Sequence, residues 1–227
     1  ETTPVFLQKA QEMGASITFA DQKYKVEKVG TESKGPANYQ IRENGKSFSL
    51  EFGLMGNYQK YNLPGILEAV NQLREKGWLI PEEALKKGLK EVASMTGLKG
   101  RWQVLGEKPT IIADTGHNEP GIREILAQLK TYSFHQLWMV LGMVQDKDVR
   151  KILELLPKDA QYVFCQATIP RAMPADILAQ KAEKVGLKGK VIPSVNEALL
   201  FAQKNAQSHD LIFVGGSTFV VAEIENL

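Results

Sequence analysis

Apolar residues recur along this chain with two different periods, and the change from one regime to the other divides it. The first third carries a helical segment at residues 4–14 and alternating, strand-like stretches at 17–19, 24–29, 39–42 and 47–52. Asn44-Gly45 lies between two of the alternating runs. Both central positions of a type I′ turn need φ > 0, so this pair predicts a hairpin within an antiparallel meander. Ile66, Leu67, Ala69, Val70 and Leu73 then follow at helical spacing up to a stop at Gly77, and another helix is expected over 81–92. Two helices should therefore cover a small sheet.

Beyond Gly97-Leu98-Lys99-Gly100 the pattern becomes strand, helix, strand, helix. Strands are expected at 110–113, 137–141, 162–164, 190–192 and 211–214, and helices at 120–130, 149–155, 174–185 and 218–224. A further helix is opened by Ser194-Val195-Asn196-Glu197, a capping box in which each end residue can satisfy the other's unpaired backbone N–H. Such repetition predicts a Rossmann-like, mostly parallel α/β sheet covered on both faces. The expected domains are 1–97 and 98–227.

Composition narrows the function without naming it. The 227 residues carry 28 Lys+Arg against 26 Asp+Glu, a net charge of +2, with the two signs interleaved. No basic footprint for a nucleic acid results. The longest apolar runs fall far short of the roughly 20 residues that span a bilayer. One cysteine, Cys165, cannot form an internal disulfide, and the start lacks the basic-then-apolar layout of a signal peptide. A cytoplasmic protein is expected, with no membrane partner, and possession of a longer parent chain is suggested by the missing initiator Met.

Several familiar sites are rejected on spacing. Gly45-Lys46-Ser47 ends like a P-loop, but its first glycine would have to be Gln40, and Gly30 and Gly35 are followed by Pro36, which lacks a donor. No GxGxxG fingerprint occurs, and His117, His135 and His209 are not clustered in sequence with Cys165, so neither a dinucleotide site nor a zinc site is expected. Cys165 ends an apolar strand and reads as buried packing.

Ligands of parallel α/β sheets bind beyond the carboxyl ends of the strands, and here those positions are unusually polar. Asp114-Thr115-Gly116-His117-Asn118 follows one strand, Gly142-Met143-Val144-Gln145-Asp146-Lys147-Asp148 another, and Gly215-Gly216-Ser217-Thr218 a third. Each loop alone is as well explained by turns and helix caps, Asn118 and Asp148 being good N-caps. Together they could line one cleft. Lys147 beside a helix start opposes the helix dipole unless something anionic sits there.

The ordered blocks Tyr58-Gln59-Lys60-Tyr61-Asn62, Gly100-Arg101-Trp102-Gln103-Val104-Leu105, Asp114-Thr115-Gly116-His117-Asn118, Gly142-Met143 with Asp146-Lys147-Asp148, Pro170-Arg171-Ala172 and Gly216-Ser217 resemble the latter half of the folylpolyglutamate synthase/dihydrofolate synthase family, within the Mur ligase superfamily. The resemblance covers nearly the whole chain. It implies an ATP- and Mg²⁺-dependent amide ligase that joins L-glutamate to dihydropteroate or folate in folate biosynthesis, working as a monomer. Residues 1–97 would be the end of the central ATP-binding domain, 98–227 the glutamate-binding domain, and the P-loop region would lie in cis outside this sequence. The piece alone would be inactive, with the metal ligands mostly in that other region.

The same resemblance implies that Asn62, Arg101 and Asp114 contact ATP, and that His117, Lys147 and Ser217 face the incoming amino acid, with Lys147 and His117 nearest the chemistry. Thr115-Gly116 departs from the family's usual Gly-Ala. Two alternatives stay open: a piece of a muramyl peptide ligase, and a stand-alone glutamate- or nucleotide-binding module.

Overall fold

Asn44 and Gly45 both take positive φ, +48° and +79°, and close the expected hairpin. The computed structural model describes residues 2–30, 35–145 and 149–225, which fall into two units, Glu1–Gly53 with Tyr58–Glu91, and Leu54–Asn57 with Val92–Leu227. In the first unit helices α1 (Thr3–Glu12) and α2 (Ala20–Lys23) precede strands β1 (Tyr24–Val29), β2 (Ala37–Glu43) and β3 (Lys46–Phe52). The three strands form an antiparallel meander in that order. Ala37, Tyr39 and Ile41 alternate along β2 onto its buried face, as period-two patterning requires. Helix α3 (Gln59–Glu75) lies against β1 and α4 (Glu82–Lys90) against β3.

The strand expected at 17–19 does not form. Those residues have no strand beside them, Ile17 is exposed, and the chain enters α2 at Ala20. Its apolar character alone could not supply ladder partners.

In the second unit α5 (Val92–Thr96) leads to β4 (Gln103–Glu107), β5 (Thr110–Asp114), α6 (Glu119–Leu129), β6 (Leu137–Leu141), α7 (Val149–Leu155), β7 (Gln161–Phe164), α8 (Ala175–Glu183), β8 (Gly189–Val191), α9 (Val195–Asn205), β9 (Leu211–Gly215) and α10 (Thr218–Ala222). The sheet order is β4-β5-β9-β6-β7-β8, parallel except for the β4–β5 pair. β4 was not legible as a strand. It is an edge strand with a register shift between Val104 and Gly106 and no fully buried residue, so it carries no clear alternation.

Two cores occupy the two faces of this sheet. Ile112, Met139, Leu141, Tyr162, Phe164 and Phe213 pack under α6, α7 and α8, while Ile111, Ala113, Val140, Val163, Ile212 and Val214 pack under α9 and α10. Consecutive residues of each strand thus feed opposite cores. The β8–α9–β9 connection runs back across the sheet, opposite in direction to the steps from β6 to β8, which puts α9 on the other face from α7 and α8. A topological switch point results at β5, β9 and β6, where ligands of such sheets bind.

Candidate functional site

The carboxyl ends of β5, β9 and β6 lie side by side: Asp114 is opposite Gly215, and Gly215 is opposite Leu141. Gly142 N–H donates to the Gly215 carbonyl at 3.3 Å. The three loops approach too closely for side chains at their junctions. A Cβ on Gly215 would lie 2.4 Å from the Asp114 carbonyl oxygen, and one on Gly216, at φ +87°, would lie 2.8 Å from the Gly142 carbonyl oxygen. Glycine is required at both positions for close approach, and at Gly216 for the backbone angle as well.

Asp114 ends β5 and is 2% exposed. Its Oδ2 accepts from Trp102 N–H at 2.7 Å and its Oδ1 from Gly116 N–H at 2.8 Å. Thr115 N–H donates to the Gly100 carbonyl at 3.0 Å. Gly100 and Trp102 both have positive φ, +68° and +55°, so the 100–102 turn is held in an uncommon backbone conformation by the 114–116 turn. Trp102 is buried, and its indole N–H donates to Tyr132 Oη at 3.1 Å. Arg101 sits between these anchored neighbours, half-buried, and its guanidinium has no hydrogen bond or ion pair among the described residues. Two sequence blocks thereby become one rigid bracket around a cation.

His117 is half-buried, with Nδ1 3.0 Å from the Thr115 carbonyl oxygen. A carbonyl only accepts, so this contact keeps the proton on Nδ1 and leaves Nε2 as an acceptor in the neutral ring. Asn118 caps α6, accepting from Gly121 N–H at 2.9 Å. Ser217 caps α10: its Oγ accepts from Phe219 N–H at 3.2 Å, and the residue is buried. The hydroxyl proton is not used by that cap.

The Gly142 and Pro170-Arg171-Ala172 blocks also meet. Val144 and Ala172 form an antiparallel bridge, Gln145 N–H donates to the Arg171 carbonyl at 3.0 Å and Met173 N–H to the Met143 carbonyl at 2.8 Å. The Arg171 guanidinium lies 5.0 Å from the Phe219 ring centroid, a cation–π contact beside the β9 loop. Lys147, with Asp146 and Asp148, lies outside the described residues. Asn62 belongs to the first unit, exposed in the first turn of α3. It does not cap the helix, which starts at Gln59, and instead donates to Gln59 Oε1 at 2.8 Å.

Thr115 had no role in the sequence reading. Its backbone N–H and carbonyl join Gly100 to His117, and its methyl would collide at 2.8 Å with any Cβ on Gly100. The departure from Gly-Ala was the one signal pointing to this position. Among the described residues no three His, Cys, Asp or Glu side chains gather to hold a metal. No described helix is long and apolar enough to cross a membrane.

In open α/β sheets ligands bind beyond the strand ends at a topological switch point, which is where these polar loops gather. The chain belongs to the Mur ligase family: residues 100–218 match the family described as Mur ligase, glutamate ligase domain. It is similar to the dihydrofolate synthase/folylpolyglutamate synthase of Escherichia coli, 28% identical over 191 residues that cover 82% of this chain and 43% of that protein. The folylpolyglutamate synthase of Mycobacterium tuberculosis, solved with ADP and AMPPCP, superposes with a TM-score of 0.79 at 24% identity over 97% of this chain and 51% of that one. A bifunctional folylpolyglutamate synthase/dihydrofolate synthase solved with Mn, AMPPNP and L-glutamate superposes with a TM-score of 0.71 at 24% identity, covering 94% of this chain and 48% of that one. The chain spans about half the length of these relatives.

Proposed function

We propose that this chain forms part of an ATP-dependent carboxylate–amine ligase that adds L-glutamate to dihydropteroate, to (tetrahydro)folate, or to both. Residues 1–97 would be the end of its ATP-binding domain and 98–227 its glutamate-receiving domain. The observation that carries this reading is the bracket in which Asp114 holds the Arg101 turn at the switch point. A guanidinium carried on an anchored backbone turn, with no hydrogen bond or ion pair among the described residues, fits a phosphate oxygen.

In such a ligase the acceptor's carboxylate attacks the γ-phosphate, and the glutamate amine then displaces phosphate from the acyl phosphate. Negative charge collects on phosphoryl oxygens, where Arg101 would be useful. Asp114, almost without exposure and with both oxygens accepting from backbone N–H groups, serves as a positioning residue; this favours an indirect role over the direct ATP contact that the family resemblance implies. His117 offers Nε2 as an acceptor for the ammonium of the incoming amino acid, and Ser217 retains a hydroxyl proton for a carboxylate. Lys147 is the proposed cation for a glutamate carboxylate, a charge-assisted contact of about 1.5–3 kcal/mol when desolvated. Asn62 is the proposed adenine contact. Holding the amine beside the acyl phosphate lowers the barrier chiefly through orientation.

ATP and a divalent ion belong to this reading because a related enzyme was solved with AMPPNP and Mn. Bound Mg²⁺ would offset phosphate charge, but the described residues offer no metal cluster, so its ligands would have to come from elsewhere in the complete enzyme. The test is mass spectrometry of the enzyme made from its natural reading frame, supplied with ATP, Mg²⁺, L-glutamate and either dihydropteroate or tetrahydrofolate. Glutamylated product is expected. Its absence from folded protein, together with turnover of a UDP-muramyl acceptor, would replace the reading with that of a muramyl peptide ligase.

A further inference from the structure

Two of the chain's three histidines, far apart in sequence, come together at the end of the sheet opposite the strand-end loops. His135 precedes β6 and His209 precedes β9, and these strands are parallel neighbours. His135 N–H donates to the His209 carbonyl at 3.0 Å, which fixes the two backbones against each other. Both side chains are exposed, and the rings lie 5.5 Å apart between centroids at an interplanar angle of 22°. Ser208 Oγ is 3.1 Å from His209 Nδ1, and in the tautomer whose Nδ1–H donates to this hydroxyl the Nε2 lone pair is available to a ligand. Such an outer partner is what orients a metal-ligating imidazole.

We propose that His135 and His209 together chelate one borderline divalent transition-metal ion, Cu²⁺, Ni²⁺ or Zn²⁺, with water completing its shell. Imidazole nitrogens bind Zn²⁺ at about 2.0–2.1 Å, which puts each ring centroid about 3.2 Å from the ion and two rings at a tetrahedral angle about 5.2 Å apart. The observed 5.5 Å is close to that separation, and the exposed, near-parallel rings would have to rotate about their side-chain bonds to turn their in-plane lone pairs toward one ion. Nearby Asp210 is not available as a third ligand, because its Oδ1 accepts from Gln136 N–H at 3.2 Å and its Oδ2 from Gln207 N–H at 2.8 Å. Among the described residues no third His, Cys, Asp or Glu completes a cluster. Two neutral nitrogen donors favour Cu²⁺ over Ni²⁺ and Zn²⁺ and exclude Mg²⁺, which prefers oxygen.

The test is calorimetric titration of the chain with CuCl₂, NiCl₂, ZnCl₂ and MgCl₂ at pH 7.5 and at pH 5. One Cu²⁺ per chain is expected at pH 7.5, with weaker Ni²⁺ and Zn²⁺ and no Mg²⁺ binding, and at least tenfold weaker Cu²⁺ binding at pH 5, because protons compete with metal ions for their nitrogen ligands. His135→Ala and His209→Ala, each checked for folding by circular dichroism, should weaken Cu²⁺ binding at least tenfold, while His117→Ala should leave it unchanged. Unchanged binding in either of the first two variants, one ion per two chains, or no Cu²⁺ binding to the parent chain would overturn the site.

Discussion

Asp114 and Trp102 are joined by a 2.7 Å hydrogen bond from the Trp102 backbone N–H to the buried carboxylate, and the donor residue has φ +55°. An uncommon backbone conformation on one side is thus held by a charge on the other. The backbone of Arg101 owes its position to this pair, since its side chain makes no hydrogen bond or ion pair among the described residues.

Asp114→Asn is the sharpest probe of that bracket. An amide keeps one accepting oxygen, but its NH₂ would face either the Trp102 or the Gly116 N–H. The expected loss is about 2–4 kcal/mol, the scale of a broken buried charge-assisted hydrogen bond. Urea unfolding monitored by circular dichroism reads it. A loss below about 0.5 kcal/mol, the usual scale for surface substitutions, would refute the bracket's structural role.

Gly216→Ala tests the close approach of the β9 and β6 loops. The new methyl would meet the Gly142 carbonyl oxygen at 2.8 Å in a backbone region unfavourable to alanine. A cost of about 1–3 kcal/mol is expected. The same substitution at Gly65, where nothing lies within 4 Å of the added Cβ, provides the control.

The division of labour between the two cations can be read from kinetics of the complete enzyme. Lys147→Ala should raise KM for glutamate at least about tenfold more than KM for ATP, and Arg101→Ala should do the reverse. Equal effects on both substrates would rule out the proposed split.

Alkaline pH should weaken the fold through its buried protonated groups. Burial pushes the Cys165 thiol from 9.0 up to about 12 and the Tyr39 phenol from 10.0 up to about 12. The native state then keeps protons that the unfolded chain releases, so stability is full below about pH 9 and falls as pH rises toward 12. Tyr39 Oη also has no hydrogen-bond partner among the described residues. Tyr39→Phe should therefore reduce the alkaline slope and, near neutral pH, change stability by no more than about 1 kcal/mol, with stabilisation the expected sign. Urea midpoints measured from pH 7 to 11 check both statements.

Long periodic segments were readable because packing followed their pattern. The helix expected at 149–155 is α7, and the strand expected at 137–141 is β6. Ser194 caps α9 by accepting from Glu197 N–H at 3.3 Å, the Ser half of the expected capping box. β4 escaped because an edge strand with no fully buried residue leaves no period-two trace. Residues 17–19 misled because apolar character without a neighbouring strand decides nothing. The polar strand ends were legible as three loops, but their contact was not. Insertion of β9 between β5 and β6 is a tertiary fact, and only that insertion brings Gly215 against Asp114 and Gly142. Nor could spacing reveal that Asp114 faces Trp102, since this pairing depends on an antiparallel β4 beside β5.

That strand order also bears on how the molecule is made. β9 is the last of the second unit's strands to leave a ribosome, yet it stands third in the sheet. Until it emerges, β5 and β6 each present an unpaired edge toward the space it will fill, and the nascent polypeptide holds two half-sheets that cannot join. Open edges of this kind recruit other strands. Interrupting translation before Leu211 would therefore yield a sticky, divided intermediate, and the arrival of β9 is the event that closes the sheet and creates the switch point.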